Sequence, residues 1–115
     1  MARAIQRRCR TEGYVLHLEW QGADGLPNLI YWLKDRFEKQ NGLCAISNTQ
    51  MILQIGKKGS NKCSPDRKNS NLGYTPDNLW LVTSWVNFMK LDMPLIVFYS
   101  KIEAIHLARN KNITV

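Results

Sequence analysis

The chain has 115 residues, 44% of them hydrophobic, with four Trp and a formal net charge of +7 at pH 7. That bounds it to one domain with a modest core and excludes a disordered chain. It also makes a polyanion a natural partner, although a soluble basic domain without such a role can carry a similar charge.

Residues 1–12 read as a basic arm with Arg3, Arg7, Arg8 and Arg10. The arm either tracks phosphates through arginine hydrogen bonds or is simply solvated. No apolar stretch follows these arginines, so no signal peptide is expected. Residues 14–20 alternate loosely and end before Gly22, which predicts a strand holding His17. Residues 21–26 read as a loop with Gly22 and Gly25. Pro27 suits the first turn of a helix over 28–40, whose apolar stripe is Leu29, Ile30, Trp32, Leu33 and Phe37. Asn41-Gly42 ends it, because Gly takes a left-handed cap without penalty.

Cys44-Ala45-Ile46 and residues 51–55 read as two short strands around a turn at Ser47-Asn48-Thr49. A glycine-containing basic loop follows over 56–62. Lys57, Lys58 and Lys62, with Arg67 and Lys68, put five positive charges within twelve residues. This is the candidate phosphate-contacting patch. Leu79-Trp80-Leu81-Val82 predicts a strand, and Ser84 caps a helix carrying Trp85, Val86, Asn87, Phe88 and Met89. Asp92 or Met93 caps a last helix over 92–110, with Leu95, Phe98, Ile102 and Ile105 at helical spacing. No apolar run approaches the roughly 20 residues of a membrane span. Cys9, Cys44 and Cys63 include no Cys-x-x-Cys pair, which fits a reducing cytoplasm and offers no zinc framework.

The most informative stretch is the polar, turn-rich segment from Ser64 to Asn78. Long ordered loops between apolar segments are more often functional than idle. Asp66 stands at its start, and Asn87 stands inside an apolar helix beyond it. An acid and an amide of this kind suit a hard metal ion that prefers oxygen ligands.

Asp66-Arg67, Gly73-Tyr74-Thr75-Pro76-Asp77-Asn78-Leu79, Val82, Val86-Asn87 and Lys90 together resemble the HNH (His-Me finger) endonucleases, closest to their small phage-encoded branch. Gly42-Leu43-Cys44-Ala45-Ile46-Ser47 is similar to that branch's opening, and the nine-residue step from Asn78 to Asn87 is one the family uses. The resemblance implies a small α+β domain over 1–115, with a ββα-metal finger over 42–91 packed against flanking helices. It implies Asp66 and Asn87 as ligands of Mg²⁺ or Mn²⁺, and Asn78 as the residue pinning the loop. It implies a metal-dependent DNA endonuclease, nicking the phosphodiester backbone, with Asp66, Arg67 and Asn78 in the catalytic site. Lys57, Lys58, Lys62, Arg67, Lys68, Arg7 and Arg8 would bind the DNA. Zinc is not expected, nor is a membrane partner, and the location would be cytoplasmic, in the host cell for a phage protein.

The chain departs from the family at one position that matters for chemistry. Most members have the general-base His after the Asp; here it is Arg67, which stays protonated and accepts no proton from water. Lys68 and Asn69 follow where the phage branch supplies another acid. His17, His106, Asp77 or a metal-bound hydroxide are the other candidate bases. The alternative is therefore a lapsed HNH-fold protein that binds nucleic acid or a host protein.

Overall fold

The computed structural model describes residues 1–53 and 60–111. The described residues form a small α+β domain of four helices and one two-stranded antiparallel sheet. Helix α1 (Ala2–Glu12) forms where a basic arm was expected. Ala2, Ile5 and Cys9 fall on one helical face and are buried, while Arg3, Arg7 and Arg10 stay exposed. Gly13 closes the helix in the left-handed region (φ 76°), its N–H donating to the Cys9 carbonyl at 2.9 Å, so the signal was the spacing of small apolar residues before a glycine.

Among the described residues, 14–17 make one bridge, Leu16 with Tyr74, and Leu18–Trp20 is a 3₁₀ turn rather than the end of a strand. Helix α2 (Gly22–Lys39) starts earlier than expected and takes in the predicted loop over 21–26. Gly25 permits this, since a Cβ there would collide with the Trp20 backbone. The expected stop holds: Asn41 and Gly42 take positive φ, and Gly42 N–H donates to the Phe37 carbonyl at 2.9 Å.

The two strands expected at 44–46 and 51–55 are instead turns with isolated bridges, Leu43 with Gln50 and Ile52 with Lys62, and residues 54 and 55 lie outside the described residues. The first strand among the described residues is β1 (Cys63–Arg67), most of it inside the segment read as loop. It pairs with β2 (Leu79–Thr83) from Cys63 opposite Thr83 to Arg67 opposite Leu79. Pro65 is tolerated because each strand of a two-stranded sheet has a free edge. Helix α3 (Ser84–Lys90) follows β2 without a break, so Thr83, the last residue of β2, takes the N-cap position expected for Ser84.

The core gathers Trp20, Leu29, Leu33, Leu79, Leu81 and Val86 between α2, the sheet and α3. Helix α4 (Leu95–Lys111) joins it through Phe98 and a half-buried Leu95. Ile102 and Ile105, expected on the same buried face, are exposed. Apolar residues surround α4, with Ile96, Val97 and Leu107 on other sides, so spacing alone did not define one inner face. With 17 residues, α4 is about 25 Å long. Among the described residues no helix is long and apolar enough to cross a membrane.

Candidate functional site

The unit β1, loop 68–78, β2 and α3 is held from within by side chains that the sequence singled out. Asn78 is buried at the base of the loop. Its Oδ1 accepts from Asn69 N–H at 3.0 Å, and its Nδ2 donates to the carbonyls of Asn69 (3.0 Å) and Gly73 (2.9 Å). Both N–H donors and the oxygen of this amide are then engaged, as a buried amide requires. Arg67 braces the same loop. Its Nη1 donates to the carbonyls of Ser70 (2.9 Å) and Leu72 (3.2 Å), and its guanidinium lies 4.0 Å from the Tyr14 ring centroid and 5.2 Å from that of Tyr74. Backbone pairing ties the loop to the 14–17 segment: Tyr74 N–H donates to Val15 and His17 N–H donates to Tyr74, each at 2.8 Å. Gly73 is required there, because a Cβ would run into the Val15 backbone.

Asp66 joins three elements. Its Oδ2 accepts from Trp80 Nε1 at 2.8 Å across the sheet, and its Oδ1 accepts from Lys90 Nζ at 3.2 Å. Lys90 also donates to the Arg67 carbonyl at 3.3 Å. The two charged side chains are only 4% and 1% exposed, so the pair is a true buried ion pair with additional hydrogen bonds. Asn87 is half-buried on α3, and its Nδ2 donates to Ser64 Oγ at 2.8 Å and to the Pro65 carbonyl at 3.5 Å.

Asp66 and Asn87 line one cleft of about 550 Å³, together with Arg8 from α1 and Arg67 from β1. A second hollow of about 290 Å³ shares Arg8, Pro65, Tyr74, Ser84 and Asn87 with it and reaches Lys62. The Arg8 side chain is anchored: Nη1 donates to Tyr74 Oη at 3.1 Å and Nε to Glu12 at 3.1 Å. Burial pushes the Tyr74 hydroxyl above its ordinary pKa, despite the two arginines that favour ionisation. The cleft therefore has fixed cations over a neutral phenol.

The other predicted residues fall elsewhere. Asn78 sits beneath the loop, not at the cleft. Lys68 is exposed and lies 5.2 Å from the Trp80 ring centroid. Arg7 is exposed on α1, and Lys57 and Lys58 lie outside the described residues. His17 packs edge-on against Trp20, with ring centroids 5.0 Å apart. His106 stands on the exposed part of α4, and Asp77 is exposed. Among the described residues no group of three His, Cys, Asp or Glu side chains comes together.

Among the cleft residues that sequence reasoning did not place at a site are Phe88, Leu91 and Asp92. The signal was available for two of them. Ser84, Asn87 and Phe88 recur at i, i+3 and i+4, which is one helical face, and Leu91 at i+7 carries the spacing into the turn after α3. That face turns to the cleft, while Val86 and Lys90 on the other side are buried. Comparison with known protein families, with curated proteins and with solved structures found no match to this chain.

Proposed function

We propose that this chain is a DNA-binding protein built on an HNH-like ββα finger, with the cleft beside β1 and α3 receiving the phosphodiester backbone. The observation that carries this reading is the pair of anchored guanidinium groups, Arg8 and Arg67, in one cleft of a chain with net charge +7. Guanidinium groups held in place recognise phosphate oxygens with directed hydrogen bonds, and net positive charge steers the polyanion toward them. The finger reading draws on chain order: Asp66 near the end of the first strand, Asn78 at the loop base, and Asn87 on the helix that follows the second strand.

A second reading, a metal-dependent DNA endonuclease, has one observation in its favour. Asp66 and Asn87, the expected ligands of Mg²⁺ or Mn²⁺, border the same cleft. Their present bonding does not fit a divalent ion. Both carboxylate oxygens of Asp66 are taken, one by the Lys90 ammonium, which is itself buried. Lys90 would have to leave before Asp66 could serve a cation.

The test is electrophoretic retention of duplex DNA by the full chain across a salt series, alongside nicking of supercoiled plasmid in Mg²⁺ and Mn²⁺. Retention that weakens with salt and with Arg8→Gln, without nicking, is expected. Nicking that disappears in Asn87→Ala would install the endonuclease reading instead. No retention at low salt would remove DNA as the partner and turn the search to a host protein.

A further inference from the structure

The cleft face of α3 changes character along its length. Ser84 and Asn87 make its first part polar, and Phe88, with Leu91 in the turn just beyond the helix, makes its end apolar. Both side chains lie outside the buried core: Phe88 is 51% exposed and Leu91 is 67% exposed. Nor does the backbone ask for leucine at 91. That residue takes φ 52° and ψ −128°, in a tight turn closed by Met93 N–H donating to the Lys90 carbonyl at 3.1 Å. A left-handed turn position of this kind favours glycine, and a leucine there is strained. The turn thus holds an apolar side chain at the lip of a cleft whose walls carry Arg8 and Arg67.

Nucleic acid has a matching pattern: anionic backbone beside flat apolar base faces. In an intact duplex those faces are hidden by stacking. They meet a protein side chain only where a base is unpaired, bulged or unstacked. Resting on the DNA-binding reading above, we propose that Phe88 and Leu91 form an apolar lip that packs against an unstacked base, so that the cleft selects distorted or unpaired DNA over perfect duplex. The arginines hold the backbone in either case; the lip discriminates.

The experiment measures fluorescence anisotropy of the full chain with two labelled DNAs, a matched duplex and the same duplex with one bulged 2-aminopurine. Chelator is present, so that no cleavage intervenes. The parent should bind the bulged DNA about tenfold more tightly, the scale expected for one base stacked on a side chain, and should change the 2-aminopurine emission. Phe88→Ser/Leu91→Gly should bind the two DNAs equally. Leu91→Gly relieves the turn, and a melting curve of the double variant verifies that it is folded. Equal binding of both DNAs by the parent, or a preference kept by the folded double variant, overturns the lip while leaving the cationic cleft intact. Failure to bind either DNA at low salt overturns the DNA-binding reading and the lip with it.

Discussion

At the scale of single residues, Lys90 and Asp66 carry more of the fold than their positions in the sequence advertise. Each is buried, and each is the other's charge partner. Removing one member of such a pair strands the other in a poor dielectric, which costs about 3 kcal/mol or more. Lys90→Met and Asp66→Ala are each expected to lower the unfolding free energy by about that amount in urea titration. Asp66→Asn/Lys90→Met should recover much of it, because no unpaired charge remains. Loss of nicking in Asp66→Ala would then report unfolding as readily as ligation. Asn87→Ala is the cleaner probe, since a half-buried hydrogen bond to Ser64 is worth only about 1 kcal/mol. Leu91 gives the opposite sign. Leu91→Gly places a glycine where φ is 52° and should raise stability by about 1 kcal/mol, read as a higher melting temperature.

At the scale of elements, the loop 68–78 is a built object. Asn78→Ala deletes three side-chain hydrogen bonds and leaves the carbonyls of Asn69 and Gly73 without them. The expected cost is about 2 kcal/mol, with faster amide hydrogen exchange at Asn69 than in the parent. Which elements were legible follows from where their partners lie. Strand β2 is a run of apolar residues buried by the core, and α3 follows it at Ser84, so local pattern was enough. The end of α2 was legible because Asn41-Gly42 is a local stop. Strand β1 was not, since Cys63-Ser64-Pro65-Asp66-Arg67 has no useful alternation. Its Asp66 is buried through Trp80 and Lys90, which are 14 and 24 residues away. Helix α1 hid because arginines outnumber Ala2, Ile5 and Cys9. Within the site, chain order brought Asp66, Arg67 and Asn87 into view, but their bonds belong to the tertiary structure. Arg67 looked like a free phosphate clamp and is also a brace for Ser70 and Leu72. Asn87 drew notice as an amide among apolar residues, and that framing concealed Phe88 and Leu91 as exposed neighbours on its own face.

At the scale of the whole molecule, the prediction concerns alkaline pH. Burial pushes the Cys63 thiol up to about 11, with the neighbouring Cys44 adding to the rise and Lys62 opposing it. Burial also raises Cys9 in α1 and Tyr74 at the cleft. These groups stay protonated in the folded chain and ionise earlier in the unfolded one. Their stabilising contribution is complete below the unfolded values and is lost as pH rises through the folded ones. Cys44 runs the other way. Burial pushes its thiol up, but hydrogen bonds from Ser47 and Thr83 outweigh that and leave it lowered, so it adds stability above its unfolded value. Falling net charge at alkaline pH works in the same direction as Cys44, because it relieves repulsion in a chain of +7. That relief acts between exposed charges and is screened over roughly 8 Å at physiological salt, whereas the thiol is buried and unscreened. The buried groups should therefore win. Urea unfolding followed by Trp fluorescence, with reductant present, is expected to show stability falling from about pH 9 to about pH 11 by roughly 2–3 kcal/mol for Cys63 alone. Cys63→Ala should flatten that fall. A fall of equal size in Cys63→Ala would assign it to Cys9 and Tyr74, and a rise in the parent would show that charge relief governs the molecule.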